Sequence, residues 1–168
     1  MLYILSLLSI LLCCLFDPLY DNYTSLLSSP YHRLYIIWIF LLASCLLKNI
    51  FRHCLSWNEK RFIVLLYLLF IVGSYLPYYS AVYLFSLLHV ILPMSTIIGY
   101  LLYILYVIFR YSKKEPLQAQ ILYQWFLYGI SLISLLIIYF AHINGIIEVS
   151  LILLVIFLLK KLKIIDYS

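Results

Sequence analysis

The sequence predicts an all-α membrane protein, a polytopic transmembrane bundle of about six helices in which residues 1–168 form one integral membrane domain. Hydrophobic residues make up 67% of the chain and charged residues only 10%, which is more apolar side-chain area than a soluble domain can bury. Six apolar runs approach the ~20 residues that a helix needs to cross the hydrocarbon core. Lysine and arginine lie between these runs, as they do in a chain that is threaded through a bilayer.

The six apolar runs define the predicted spans in chain order. They cover residues 2–16, 34–51, 62–76, 82–109, 121–141 and 145–159. The first, third and sixth runs are short for a full crossing, which snorkelling of flanking side chains or local thinning of the bilayer can accommodate. The fourth run is longer than one crossing needs, and Pro93 within it predicts a kink or an interfacial first turn.

The first run predicts a retained helix and not a cleaved secretory signal. A signal needs a basic segment at its start and small residues before the cleavage site. Residues 2–16 have neither feature, and Asp17 and Pro18 follow them directly. We therefore expect this run to stay in the protein as the first helix.

The distribution of lysine and arginine predicts the orientation of the helices. Short loops that are rich in these residues remain on the cytoplasmic side. With the N-terminus inside, ten of the eleven basic residues fall on the cytoplasmic side and only Arg33 lies outside. The sequence therefore predicts a multi-pass protein of the cell membrane with both termini in the cytoplasm.

The sequence lacks the patterns that other classes of protein require. The net charge of +5 does not predict nucleic-acid binding, because such proteins cluster their basic residues on one exposed face of a soluble domain. The four cysteines show no paired spacing that would indicate a disulfide framework. No Walker, dinucleotide-binding or haem-attachment motif occurs, so no cofactor is predicted.

The predicted topology gathers polar residues at the outer end of the bundle, and we interpret them as a candidate cluster. The cluster consists of His32, Arg33, His89, His142, Asn144 and Glu148. His32 and Arg33 come from the first outer loop, His89 from the outer part of the fourth run, and the other three from the last turn and the start of the sixth run.

Glu148 is the residue in this cluster that most needs an explanation. An ionised carboxylate about one turn inside the membrane costs on the order of a few kcal/mol unless it is paired or neutralised. The sequence offers His142, His89 and Arg33 as partners. The alternative is that Glu148 reaches interfacial water or is protonated, and then it needs no functional role.

Metal chemistry at the outer end is only weakly indicated. Imidazole and carboxylate groups are zinc ligands, so His89, His142 and Glu148 are the candidates for a metal site. None of the histidines forms an HxxxH or HExxH pair, and each ligand would come from a different helix or loop. We therefore predict no metal and assign no catalytic residue.

Several short segments resemble those of small uncharacterised bacterial multi-pass membrane proteins. They are residues 24–33 leading to Trp38, residues 59–61, residues 88–90 and residues 144–148. More distantly, a serine-containing segment before the second helix and a histidine at the head of the fourth are similar to the Frag1/DRAM-like six-helix families. The resemblance implies the six-helix topology and carries no activity with it.

Three functions remain open from the sequence. The first is a non-catalytic membrane protein that serves as a subunit or accessory of a membrane assembly, with lipid and either a membrane-protein partner or further copies of itself as its contacts. The second is a membrane-embedded hydrolase or transferase that acts on lipid at the outer leaflet, using His89, His142 and Glu148. The third is a small proton-coupled transporter that uses Glu148.

Overall fold

The computed structural model describes residues 2–23, 26, 29–76, 83–141 and 143–165. Within these residues the chain is helical and contains no strand, which confirms the all-α prediction and the count of about six helices. The helices are α1 (Leu2–Cys13), α2 (His32–Phe51), α3 (Trp57–Tyr75), α4 (Tyr83–Ser112), α5 (Pro116–Phe140) and α6 (Gly145–Ile165).

Each helix overlaps one predicted run, but several extend into the charged segments beside it. α3 begins at Trp57 because Ser56 caps it, accepting a hydrogen bond from the Glu59 amide at 3.1 Å. α5 begins at Pro116, a residue that suits the first turn of a helix. Lysine, arginine and glutamine favour helix, so a helix continues where the apolar run has already ended.

Three helices in the described part of the chain are long and apolar enough to cross a membrane. They are α2, α4 and α5, with 20, 30 and 25 residues. At 1.5 Å per residue each reaches the ~30 Å thickness of the hydrocarbon core. α1 is apolar but shorter, at 12 residues. These helices support a membrane protein, while the number of crossings and their direction stay predictions.

Helix α5 shows how much apolar surface the chain leaves uncovered. Leu117, Tyr128, Leu135, Ile138 and Tyr139 on this helix are each more than 60% exposed. A soluble monomer rarely exposes an apolar stripe that runs along a whole helix. Lipid is the solvent in which such a surface carries no penalty.

The chain divides into two compact units. Unit 1 comprises residues 1–25 and 103–168, and unit 2 comprises residues 26–102. α4 contributes its first part to unit 2 and its last part, from Tyr103, to unit 1. This division does not test the prediction of one integral membrane domain, which stays a prediction.

In unit 1, α6 packs against both α1 and α5. The rings of Trp125 and Phe157 lie edge to face at 5.4 Å, and a Cβ on Gly129 would collide with Leu154. Since later residues of α6 meet earlier residues of α5, the two helices are antiparallel. The turn between them begins at Ala141, which is left-handed with φ of 57°.

In unit 2, α2 packs on α3, and α3 approaches α4 closely. A Cβ on Gly73 of α3 would lie 2.5 Å from Pro93 of α4, so only glycine permits this approach. Thr96 of α4 donates a hydrogen bond to the Leu66 carbonyl of α3 at 3.3 Å. Pro93 lies well inside α4 and not in a first turn, which corrects that alternative.

Candidate functional site at the start of helix α6

The segment that follows α1 folds into a turn that is set by Asp17. The Asp17 carboxylate accepts a hydrogen bond from the Leu19 amide at 3.0 Å, and the backbone carbonyl of Asp17 accepts one from the Asp21 amide at 2.8 Å. Aspartate followed by proline favours such a turn. The turn directs residues 18–23 back across the start of α6.

This segment supplies backbone acceptors to the first amides of α6. The Gly145 amide donates to the Asp21 carbonyl at 2.7 Å, and the Ile146 amide donates to the Pro18 carbonyl at 3.3 Å. The first amides of a helix have no partner within the helix and need one elsewhere. In this chain the loop after α1 provides it.

Asn144 is the N-cap of α6 and also holds the loop. Its Oδ1 accepts a hydrogen bond from the Ile147 amide at 3.1 Å, as N-cap asparagine does. Its Nδ2 donates to the Leu19 carbonyl at 3.1 Å, and the residue is fully buried. Both ends of the side chain are therefore engaged by the backbone of unit 1.

Glu148 has a backbone partner. Its Oε2 accepts a hydrogen bond from the Tyr23 amide at 2.7 Å. The carboxylate also lies in the first turn of α6, where the helix dipole favours a negative charge. The sequence offers His142, His89 and Arg33 as partners, and no local pattern in it indicates a backbone amide 125 residues away.

Tyr23 connects this arrangement to α1. Its hydroxyl donates a hydrogen bond to the Ser9 carbonyl, and its ring meets the Phe16 ring edge to face at 5.3 Å. Only 2% of the residue is exposed. Burial raises the pKa of the Tyr23 hydroxyl above its ordinary value, so the hydroxyl remains a neutral donor.

We call this arrangement the α6 cap network. It consists of Asn144 and Glu148, the amides of Gly145 and Ile146, and the loop residues Pro18, Leu19, Asp21 and Tyr23. Gly145 is required because a Cβ there would lie 2.5 Å from the Phe16 ring. The Asn-Gly pair before an apolar run indicates the start of a helix, whereas no sequence pattern indicates that Tyr23 contacts this start.

The remaining cluster residues that the structure describes belong to unit 2. His32 and Arg33 are the first two residues of α2 and are exposed, and a ring nitrogen of His32 lies 3.3 Å from the Ser29 carbonyl oxygen. His89 is buried, with its Nδ1 2.5 Å from the Leu76 carbonyl oxygen. His142 lies outside the described residues. The structure thus brings Asn144 and Glu148 together, since both are bonded to the loop after α1. The six-residue cluster as a whole stays a prediction.

A metal site finds no geometric support within the described ranges. No group of three or more histidine, cysteine, aspartate or glutamate side chains in them is placed to hold a metal ion. The candidate set of His89, His142 and Glu148 includes one residue outside those ranges, so it is not tested as a set.

Comparison with known protein families, with characterised proteins and with solved structures finds no match to this chain. The chemistry of the α6 cap network therefore rests on its own geometry. Asn144 Oδ1 and Nδ2 and Glu148 Oε2 are each paired with a backbone group, and Ser9 beside them donates its hydroxyl to the Leu5 carbonyl at 2.8 Å. Such an arrangement fixes a loop on a helix.

Proposed function

We propose that the chain is a non-catalytic, six-helix integral membrane protein that serves as a subunit or accessory of a larger membrane assembly. The observation that carries this proposal is that Asn144 and Glu148 are bonded to the backbone of the loop after α1. Of the predicted candidates for chemistry, His89, His142 and Glu148, Glu148 is the one that the described residues of unit 1 include. The bonds of Asn144 and Glu148 favour a role in holding the loop.

The proposal includes both termini in the cytoplasm of a bacterial cell. Its support is the count of basic residues, of which ten of eleven lie in segments that the predicted topology puts inside. The distant likeness to the Frag1/DRAM-like families belongs to the same proposal, and its support is the serine-containing segment before the second helix and the histidine at the head of the fourth.

The enzyme and transporter hypotheses are less well supported. A hydrolase would use Glu148 as a general acid or base, and a transporter would load and release a proton there. In the structure Glu148 Oε2 is bonded to the Tyr23 amide, which gives this carboxylate a structural role without any reaction. Both hypotheses stay predictions.

The state of the protein in its native membrane tests the proposed role. We expect the protein, extracted in a mild non-ionic detergent, to have a protein mass by light scattering well above the 19.9 kDa of one chain. Denaturing detergent provides the control and should return the single-chain mass. A lone monomer in the mild detergent, across several membrane preparations, would refute the subunit or accessory role.

A further inference from the structure

One end of unit 1 carries a concentration of basic side chains. α1 and α6 are antiparallel, since Phe16 lies beside Gly145 and Tyr3 lies beside Lys160. α5 is antiparallel to α6 as well, so the end of α6 and the turn between α4 and α5 lie at the same end of the unit. We call this region the basic end, and its described cationic residues are Arg110, Lys113, Lys114, Lys160 and Lys161.

The basic end has little compensating negative charge. Among its described side chains, Glu115 is the acidic one beside the five cationic groups. In the sequence, Lys163 and Asp166 follow, and their charges cancel. Lys113, Lys114, Glu115 and Lys161 are exposed, so the positive charge faces the surroundings.

Aromatic rings hold three of these cations close to the apolar surface of the helices. Lys160 Nζ lies 4.1 Å from the centre of the Tyr3 ring, and the Arg110 guanidinium lies 5.6 Å from that of Tyr106. Lys161 Nζ lies 5.7 Å from the centre of the Phe157 ring. Cation–π contacts of this length favour a defined position of the charge.

Exposed apolar side chains begin directly beside the basic end. Phe109 precedes Arg110 and is 59% exposed, and Leu117 follows the turn and is 71% exposed. Tyr3 is 68% exposed. The surface therefore changes from apolar to cationic within one helical turn, and a matching ligand would have an apolar body and an anionic head.

We propose that the basic end of unit 1 binds anionic phospholipids, with the phosphate headgroup on the lysines and arginine and the acyl chains along the exposed apolar side chains. This inference rests on the proposed membrane location of the chain. A soluble anion would use only the charges, whereas a phospholipid uses both halves of the surface. Each basic residue near an anionic bilayer surface is worth about fivefold in affinity.

The test uses the full chain in nanodiscs of mixed phosphatidylcholine and phosphatidylglycerol. The lipids in contact with the protein are identified by spin-labelled analogues of each lipid, and we expect a preference for phosphatidylglycerol of at least about fivefold, which is the contribution of a single basic residue. The variant carries Lys113→Gln, Lys114→Gln, Lys160→Gln and Lys161→Gln, and it should lose most of that preference. Both nanodisc leaflets have the same composition, so the orientation of the chain does not affect the result.

The matched control keeps the charge at the same four positions. It carries Lys113→Arg, Lys114→Arg, Lys160→Arg and Lys161→Arg, and it should keep most of the preference for phosphatidylglycerol. Circular dichroism checks that both variants are folded, and single substitutions at Lys113 and Lys161 replace any that is not. Equal preference for the two lipids in the unmodified chain, equal loss in both variants, or displacement by millimolar inorganic phosphate would overturn the proposal. Failure of the chain to insert into a bilayer would instead refute the proposed membrane location.

Discussion

Glu148 illustrates how a carboxylate is accommodated near the start of an apolar helix. It accepts one backbone hydrogen bond, from Tyr23, and sits at the favourable end of the α6 dipole. This bond ties the loop after α1 to the start of α6, so the loop and the helix stabilise one another.

Removal of the Glu148 carboxylate tests this coupling. We expect Glu148→Ala to lower the free energy of unfolding by about 2 kcal/mol, because the Tyr23 amide then lacks its acceptor. Glu148→Gln keeps an acceptor oxygen and should cost about half as much. Titration with sodium dodecyl sulfate in mixed micelles measures both values. Glu115→Gln, at an exposed position, is the control, and equal stability of all three variants would contradict the structural role.

The hydroxyl of Tyr23 can be tested separately from its backbone amide. We expect Tyr23→Phe to cost about 1 kcal/mol, since the buried bond to the Ser9 carbonyl is lost while the ring packing on Phe16 remains. Tyr20→Phe provides a matched control, because Tyr20 is 77% exposed in the same loop. The same detergent titration compares them, and a loss at Tyr20 equal to that at Tyr23 would argue against the bond.

At the scale of elements, the short turn between α5 and α6 positions the α6 cap network. Ala141 ends α5 in the left-handed conformation, and its amide donates to the Ile137 carbonyl at 2.9 Å. This conformation destabilises an L-amino acid, unlike the achiral glycine, by roughly 1–2 kcal/mol. The chain thus carries strain at the residue where the two helices of the hairpin join.

Glycine at this position should relieve the strain. We expect Ala141→Gly to raise the free energy of unfolding by about 0.5–1 kcal/mol, and Ala119→Gly in the buried first turn of α5 to lower it by about 1 kcal/mol. Ala119 is buried and helical, so the same substitution removes packing there and adds backbone freedom. Thermal unfolding in one detergent distinguishes the two, and a loss of stability from Ala141→Gly would contradict a strained turn.

Helices were predictable from the sequence because their signals are local. The apolar runs predict all six helices. Ser56 with Glu59 marks the start of α3, and Pro116 marks the start of α5; both starts lie earlier in the chain than hydropathy alone places them. The α6 cap network was only half predictable. Asn144 and Glu148 stood out as polar residues beside an apolar run, but their partners are backbone groups of the loop after α1, and no spacing rule encodes that contact.

For the whole molecule, the decisive property is the contrast between its apolar helix faces and its basic segments. α2, α4 and α5 are long and apolar enough to cross a bilayer, and their ends lie beside the lysines and arginines. If those residues lie inside the cell, as we propose, the loop after α1 and the α6 cap network face outward. The orientation of the helices therefore determines which of the two, the α6 cap network or the basic end, faces the outside of the cell.

Accessibility of single cysteines in intact cells measures this orientation directly. The four native cysteines are first replaced by serine, and Tyr20→Cys, Lys113→Cys and Lys160→Cys are then made one at a time. A membrane-impermeant maleimide should label the cysteine at position 20 in intact cells and those at positions 113 and 160 only after the membrane is opened. Labelling at position 113 or 160 in intact cells would contradict the six-crossing topology with both termini inside.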